Sequence, residues 1–421
     1  MKWDGSANHL AQVAELQFHS NNMLKYYRIT LCISLLLMGF AEYIFAGPIN
    51  FKLIDKDNGE PIQFACITAN GFQTYSNLQG ECIVDLPADS SITISHITYG
   101  KMIIPNNGNI PASFYWEKLS YDLGETSIIP PKKLNKILNS LRRKYLNYDD
   151  DAFGNKTFYY RQITDVDNMP TEYIESVIKA KTSERLTNFN VISGRSAKLD
   201  SLNGQLVLNL MNAYSLGSVK LFSKSNAPTK NKVTPLFCNN FLKIFDIKVD
   251  KIYFADTVDE MWVCEFYEKK YKSNNKRCYI SGKISIKLKD LTIIASDIHI
   301  RNINMISPKN TKTSNAELTI KTNYKSDNSP YPIVDTEQID IKFDAQNLDL
   351  EKRHYNVISY YTSIDTYTTS KGNKLGKIDN LFQILSSSTS DSLFLQQSLL
   401  IKRTEAEEKI LNDFKSKGLL H

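Results

Sequence analysis

A two-residue alternation of apolar and polar positions runs through much of the second half of the chain. Ile284, Ile286 and Leu288 alternate with Lys283, Ser285, Lys287 and Lys289, and Ile339, Ile341 and Phe343 alternate with Asp340, Lys342 and Asp344. Ala316, Leu318 and Ile320 repeat the pattern. Successive side chains of a strand point to opposite faces, so this period predicts an antiparallel sheet with one apolar and one wetted face. Phe241 to Val249 and Met261 to Tyr267 are expected to be further strands, with Asn/Lys/Ser-rich loops at Ser223 to Lys232, Ser307 to Asn315 and Lys325 to Ser329. A helical period appears twice. After Pro130-Pro131, the residues Leu134, Ile137, Leu138, Leu141 and Tyr145 share one helix face. From about Ser392 to Lys417 a stripe of Leu395, Leu399, Ala406, Ile410 and Phe414 predicts a closing helix, with Glu405 and Lys409 spaced to pair. Two amphipathic helices and a one-faced sheet bury their apolar sides against each other. Residues 131–421 are therefore expected to form an α+β domain, helices packed on a curved antiparallel sheet.

Residues 47–105 carry a different texture, short strands separated by turns with no helical period. The expected strands are Phe51 to Ile54, Ile62 to Thr68 after Pro61, Glu81 to Leu86 and Ser91 to Ile97. Asp57-Asn58-Gly59-Glu60 and Asn77-Leu78-Gln79-Gly80 supply the turns. Strands at this spacing predict a small antiparallel β-sandwich, making the whole chain mainly β in an α+β arrangement. Cys82 shares a face with Val84 and Leu86, the face expected to be buried, whereas Cys66 is opposite in phase to Ala65 and Ile67. The two thiols point to different sides and are not expected to bridge. Residues 106–130, with Asn106-Asn107-Gly108 and the aromatic patch Phe114-Tyr115-Trp116, read as a linker.

The blocks INFKLIDKDNGEPIQFACI, TYSNLQGECIVDLP and ITISHITYG, in that order, resemble the carboxypeptidase regulatory-like domain, a transthyretin-like β-sandwich. The resemblance covers about 55 residues and implies a non-catalytic appendage, frequent in secreted and outer-membrane proteins of Gram-negative bacteria. It imports no peptidase activity. A zinc carboxypeptidase needs His-x-x-Glu to hold the metal and activate water, and none of the six histidines is followed by Glu at the third position. Further on, the first helix followed by KTFYYRQI, TEYIESVIKAK and ISGR is similar to the middle portion of uncharacterised envelope proteins that carry the same module, and WVCEFYEKKYKSNNKRCYISGKISIKLKDLTIIASDIHI fits that likeness. Many such proteins continue into an outer-membrane barrel; here the pattern turns to a helix instead, and no barrel is expected. The strand pairs are also similar, at the level of fold only, to periplasmic lipoprotein-carrier half-barrels.

The N-terminus reads as an address. Lys25 and Arg28 precede an apolar run, Ile29 to Ala41, and Ile44-Phe45-Ala46 leads to Gly47-Pro48. A basic flank, a short apolar core and a small residue at the exit predict a signal peptide over residues 1–46. The run is shorter than the roughly 20 residues that span a bilayer, which leaves a membrane anchor as the lesser alternative. The 22 polar residues before Met23 make the leading region much longer than that of a usual signal, so translation is expected to start at Met23. Cys32 follows Leu31 rather than a small residue, which argues against lipidation. The expected address is the periplasm or the outer membrane.

Composition narrows function more by exclusion. Hydrophobic residues make 42% and charged residues 23%, the balance of a folded protein, and Tyr 23 and Phe 20 against Gly 17 and Pro 13 favour strands. A net charge of +6 over 421 residues lacks the concentrated basic face of a nucleic-acid binder. Five cysteines beyond residue 46 (Cys66, Cys82, Cys238, Cys264, Cys278) form neither a disulfide framework nor a zinc pattern, though an isolated bridge is compatible with an oxidising periplasm. Lys132, Lys133, Lys136, Arg142, Arg143 and Lys144 line the outer face of the first helix, as a solvated face or a surface for anionic headgroups. Asp297 and His299 share a strand face beside Arg301, the spacing of a metal or acid–base pair and equally of any wet strand. His96 is expected out of phase with Ile94 and reads as a surface residue, and His354 as a loop residue without an obvious partner. In Tyr159-Tyr160 and Tyr360-Tyr361 one ring of each pair is expected to be buried and one exposed. Nucleophile elbows, phosphate loops and dinucleotide fingerprints do not occur. No catalytic, cofactor-binding or metal-binding residue is assigned and no cofactor is implied. The leading expectation is a non-enzymatic envelope protein that binds an envelope protein, glycan or lipid, with membrane contact through a partner or the basic helix. A carrier of an apolar ligand held in the sheet comes second, and a hydrolase with an unrecognised site third.

Overall fold

The computed structural model describes residues 48–69, 72–84, 90–96, 98–105, 110–119, 129–146, 155–208, 219–225, 233–255, 257–269, 278–303, 305, 310–325, 331–347, 351–364, 373–374, 381–386, 394 and 400–421. The expected signal peptide, Cys32, Leu86, Asn106 to Gly108, Leu395 and Leu399 lie outside the described residues. Among the described residues no helix is long and apolar enough to cross a membrane.

The chain is mainly β, as its periodicity predicts. Seven strands form the first unit: β1 (Ile49–Asp55), β2 (Cys66–Ala69), β3 (Phe72–Tyr75), β4 (Glu81–Val84), β5 (Ser91–His96), β6 (Gly100–Pro105) and β7 (Ser113–Trp116). They make two sheets, ordered β4-β1-β7 and β3-β2-β5-β6. Alternate residues from both, among them Phe51, Leu53, Ile67, Cys82, Ile92 and Ile94, fill the space between. Gly59 and Gly80 adopt the left-handed backbone that their turns require, with φ of 71° and 73°. Two local expectations need correction. The stretch from Ile62 is a turn with Pro61 making a lone bridge to Ile54, and strand β2 begins only at Cys66. β3 and β6, FQTY and GKMIIP, lack the strict alternation that marks a strand in sequence and add to the expected set. Ser113–Trp116, in the stretch read as linker, pairs in parallel with β1 and places Trp116 in the sandwich core. At the sandwich edge Tyr99 donates to Asp55 at 2.7 Å and Lys118 pairs with the same carboxylate. Burial alone would raise Asp55, but these donors bring it down to about 2.

Helix α1 (Pro131–Leu146) follows, with Leu134, Leu138, Leu141 and Tyr145 buried as their spacing predicts. Strands β8 (Asn155–Val166), β9 (Met169–Thr182) and β10 (Leu186–Lys198) come next, then a small hairpin, β11 (Ser201–Leu202) and β12 (Gln205–Leu206). Asp167 and Asn168 both take positive φ, the signature of a two-residue type I′ turn between β8 and β9. Phe241 to Ile244, expected as strand, is a short helix, α2 (Phe241–Ile244), and strand begins at β13 (Phe245–Tyr253). The meander continues through β14 (Met261–Glu268), β15 (Tyr279–Lys287), β16 (Thr292–Arg301), β17 (Thr311–Lys325), β18 (Ile333–Asn347) and β19 (Arg353–Ile364), and ends with β20 (Asn373–Lys374), α3 (Leu381–Ser386) and α4 (Glu405–Ser416). The result is an 11-stranded antiparallel sheet, ordered β13-β14-β15-β16-β17-β18-β19-β8-β9-β10-β20.

This sheet curls. β17 and β9 stand four places apart, about 19 Å if the sheet were flat. Yet the Tyr324 hydroxyl on β17 donates to the carbonyl of Glu184, in the turn after β9, at 3.0 Å. The apolar face is filled by α1, by Val233 to Phe245 and by α3. The opposite face carries the sandwich and the C-terminal segment, so the central strands are covered on both sides. That overturns the pairwise expectation for the tyrosines: Tyr159, Tyr160, Tyr360 and Tyr361 are all buried. Tyr160 and Tyr361 pack 4.6 Å apart on the apolar face. Tyr159 and Tyr360 lie on the other.

The closing helix is also shorter than expected. Ile401 bridges to Tyr75 of the sandwich, and α4 starts only after Thr404, whose side chain and that of Glu407 cap each other reciprocally. Leu411 and Phe414 face inward while Ala406 is exposed, and the i, i+4 ion pair that forms is Asp413–Lys417.

Candidate functional site

One row of cross-strand neighbours crosses the polar face of the sheet. Lys248, Glu265, Lys283, Asp297, Lys321, Gln338, Tyr360, Arg161, Glu175 and Arg195 are successive partners, one per strand from β13 to β10. Their charges alternate, interrupted only by Gln338 and Tyr360. Opposite charges side by side are the favourable arrangement for directly facing residues. At the β13 end the row is open to solvent, with Lys248 and Glu265 paired at 2.9 Å. At the other end it runs under the C-terminal segment, where Arg161 and Glu175 are fully buried and Arg195 is partly buried.

The buried end is a closed network. Glu175 receives Arg161 at 2.9 Å, Arg195 at 2.7 Å and Arg403 at 2.8 Å. The hydroxyls of Tyr159 and Tyr173 also donate to it, at 2.8 and 2.5 Å. Burial would raise this carboxyl, but Arg161, Arg403 and Arg195 outweigh it and hold Glu175 well below the usual carboxylate range. Arg161 reaches onward to Glu407 at 3.1 Å and to the carbonyl of Ile401 at 3.1 Å. Arg161 and Glu175 are fully buried. Such a cluster is costly unless every member is satisfied. Here its members come from β8, β9, β10 and the C-terminal segment, so satisfying them fixes that segment on the sheet. Ile401 and Leu400 in turn hold the sandwich, through the bridge to Tyr75 and the bond that Thr74 donates to Leu400.

Between the sandwich and the exposed half of the row lies a cleft in two adjoining lobes, of about 780 and about 330 Å³. His96, Met261 and Asn323 line both. The larger adds Phe64 and Leu119 from the sandwich side and Phe254 from the sheet side; the smaller is floored by Lys283, Asp297 and Lys321 of the charged row. His96 is therefore no ordinary surface residue. It shares the phase of Ile92 and Ile94, stacks 5.1 Å from Tyr99, and its Nδ1 accepts the backbone N–H of Thr98 at 3.1 Å. That bond sets the tautomer with the proton on Nε2. Burial pushes its pKa down to about 4, so the ring is neutral at physiological pH.

The residues that sequence singled out are dispersed. His299 lies 3.3 Å from Asp297 through Nε2 and 3.1 Å from the Thr319 hydroxyl through Nδ1. Carboxylate, imidazole and hydroxyl stand in series, but the first two are 41% and 49% exposed. The backbone donors beside them are committed to the ladders on either side, which leaves them unavailable to an oxyanion. Arg301 pairs with Glu317 at 3.6 Å. His354 is on strand β19 rather than in a loop, and has a partner: its Nδ1 is 2.9 Å from Asp344. Burial would raise Asp344, but His354, Lys352 and Asn315 hold it at about 2. Much of the basic stripe on α1 is engaged with protein. Arg142 donates to the carbonyls of Phe237 and Ser223, Lys144 to that of Asp290, and Lys133 lies over the Trp262 ring. Among the described residues the five cysteines form no disulfide, and burial raises the thiols of Cys82 and Cys264, the latter to about 12. Among the described residues no group of three His, Cys, Asp or Glu is placed to hold a metal ion.

Sequence reading missed the network around Glu175 and the cleft. Arg161, Glu175 and Arg195 lie within blocks quoted for their likeness to envelope proteins, and a buried role was signalled by charges set among the apolar residues of FYYRQI and YIESVI. No family model matches the chain, nor does any curated protein or solved structure match it significantly.

Proposed function

We propose that this chain is a non-enzymatic exported protein of the cell envelope, in which the sandwich and the curled sheet act together as one binding module. The observation that carries the reading is the attachment of the two units. A segment anchored by a buried charge network on the sheet pairs with the edge of the sandwich, and a cleft opens at the junction so held. Clefts between units are where ligands most often bind. The conspicuous acid–imidazole pairs support the same reading, since each ties neighbouring strands: His299 links Asp297 to Thr319, and Asp344 joins His354 to Asn315. Export rests on the basic flank and apolar run around Ile29 to Ala41, and the likeness of residues 49–100 to carboxypeptidase regulatory-like modules agrees with it.

N-terminal sequencing of the protein recovered from fractionated cells tests the export half. The expected chain begins at Gly47 and appears in the envelope fraction. Recovery with Ile29 to Phe45 still attached, or from the cytoplasm, would contradict it.

A further inference from the structure

We propose that the cleft between the sandwich and the sheet binds a neutral oligosaccharide. This rests on the binding-module reading and names its ligand class.

Most of the charges that reach the cleft are matched by charges beside them. Lys283 pairs with Asp250 at 2.8 Å, Lys287 with Asp259 at 3.1 Å and Asp335 with Lys325 at 3.6 Å. With positive and negative groups interleaved, the site presents no field that selects an ionic ligand. What it offers instead is hydrogen bonding from neutral groups. His96, held in one tautomer by Thr98, carries its proton on Nε2 at the wall common to both lobes. Asn323 donates to Thr336 at 3.0 Å, which orients the amide and leaves its carbonyl oxygen as an acceptor. A neutral imidazole donor beside an amide acceptor suits hydroxyl groups, which donate and accept at once.

The apolar part of the cleft sets aromatic rings beside Leu119, Met261 and Ile294, and its backbone is unusual. Phe64 and Phe254 line it, one from each unit, and both adopt left-handed backbone, with φ of 55° and 53°. For a bulky residue this conformation is strained and persists where the surroundings enforce it, often at ligand clamps. Here it brings two phenyl rings to the lining of one lobe, that of Phe64 resting 5.6 Å from the Tyr360 ring. Aromatic faces stack against the C–H faces of pyranose rings while neighbouring polar groups take the hydroxyls. A volume of about 780 Å³ with an adjoining lobe of about 330 Å³ accepts several sugar units along an open track.

The test is calorimetric titration of the folded protein with neutral hexasaccharides of α-1,4-glucose, β-1,4-glucose, β-1,4-N-acetylglucosamine and β-1,4-mannose, with palmitate as the apolar comparison. At least one hexasaccharide is expected to bind saturably. Phe254→Asn removes a ring at a position where Asn tolerates the backbone, so the fold survives, and is expected to weaken binding at least tenfold. Asn323→Ala is expected to do the same, while Tyr115→Ala, on the exposed side of β7, leaves affinity unchanged. Saturable binding of none of the four, or binding indifferent to both cleft variants, would overturn the proposal. Binding of palmitate alone would remove the sugar assignment and leave the binding module standing. Release of shorter sugars during the titration would keep the assignment and overturn the non-enzymatic reading.

Discussion

Single residues carry several of the features that alternation alone could not reveal. Glu337 lies on the apolar face of β18, in phase with Ile339, Ile341 and Phe343, with the Thr322 hydroxyl donating to it at 3.3 Å. A strand pattern read for hydrophobicity marks it as an exception without saying which face it takes. Desolvation raises its pKa from 4.5 to about 8, so the folded protein holds a proton there that the unfolded chain releases. The stability linked to this group is fully present below about pH 4.5 and is lost as pH rises toward 8, at about 1.4 kcal/mol per unit. Glu337→Gln is therefore expected to be roughly 3–5 kcal/mol more stable than the parent at pH 8 and nearly equal to it at pH 4.5, as read from urea unfolding at the two pH values. Equal stabilities at pH 8 would show that Glu337 is solvated. The tyrosine pairs teach a related lesson. Their alternation correctly separates Tyr159 and Tyr360 from Tyr160 and Tyr361, but whether the second face is wet depends on what the distant C-terminus covers.

At the scale of elements, local periodicity served best where one face meets solvent. α1 begins and ends where its stripe predicts, and the alternation at Ile284, Leu318 and Ile341 marks buried positions in the structure. It served least where tertiary pairing decides. β7 is recruited by β1, whose Lys52–Ile54 pair with Ser113–Tyr115, 61 residues later in sequence, and no local signal announces that pairing. The C-terminal segment shows the same limit: its apolar spacing suggests one long helix, yet the Thr404 cap and the reach of Arg403 to Glu175 fix where helix begins. The segment's anchorage makes a prediction. Glu175→Gln keeps the side chain's shape but leaves Arg161, Arg195 and Arg403 without their shared anion. Breaking a buried ion network in this way costs about 3–5 kcal/mol. Hydrogen exchange is expected to rise first across residues 401–421, ahead of β14 to β17. Unchanged protection there would mean that the network does not hold the segment.

For the whole molecule, the sequence made the two-unit organisation and the α+β sheet domain legible, because each unit has its own period and its own core. The joint between them was not legible, since it is assembled from Tyr75, Arg161, Glu175, Ile401 and Arg403, which are far apart in the chain. The cleft inherits that difficulty, drawing His96 from one unit and Phe254 from the other. A binding site built on a joint requires the joint to be rigid. Scanning calorimetry of the protein beginning at Gly47 measures this directly. Units welded through the C-terminal segment are expected to unfold in one cooperative transition with equal calorimetric and van't Hoff enthalpies. Two separable transitions, one for the sandwich and one for the sheet, would contradict the account.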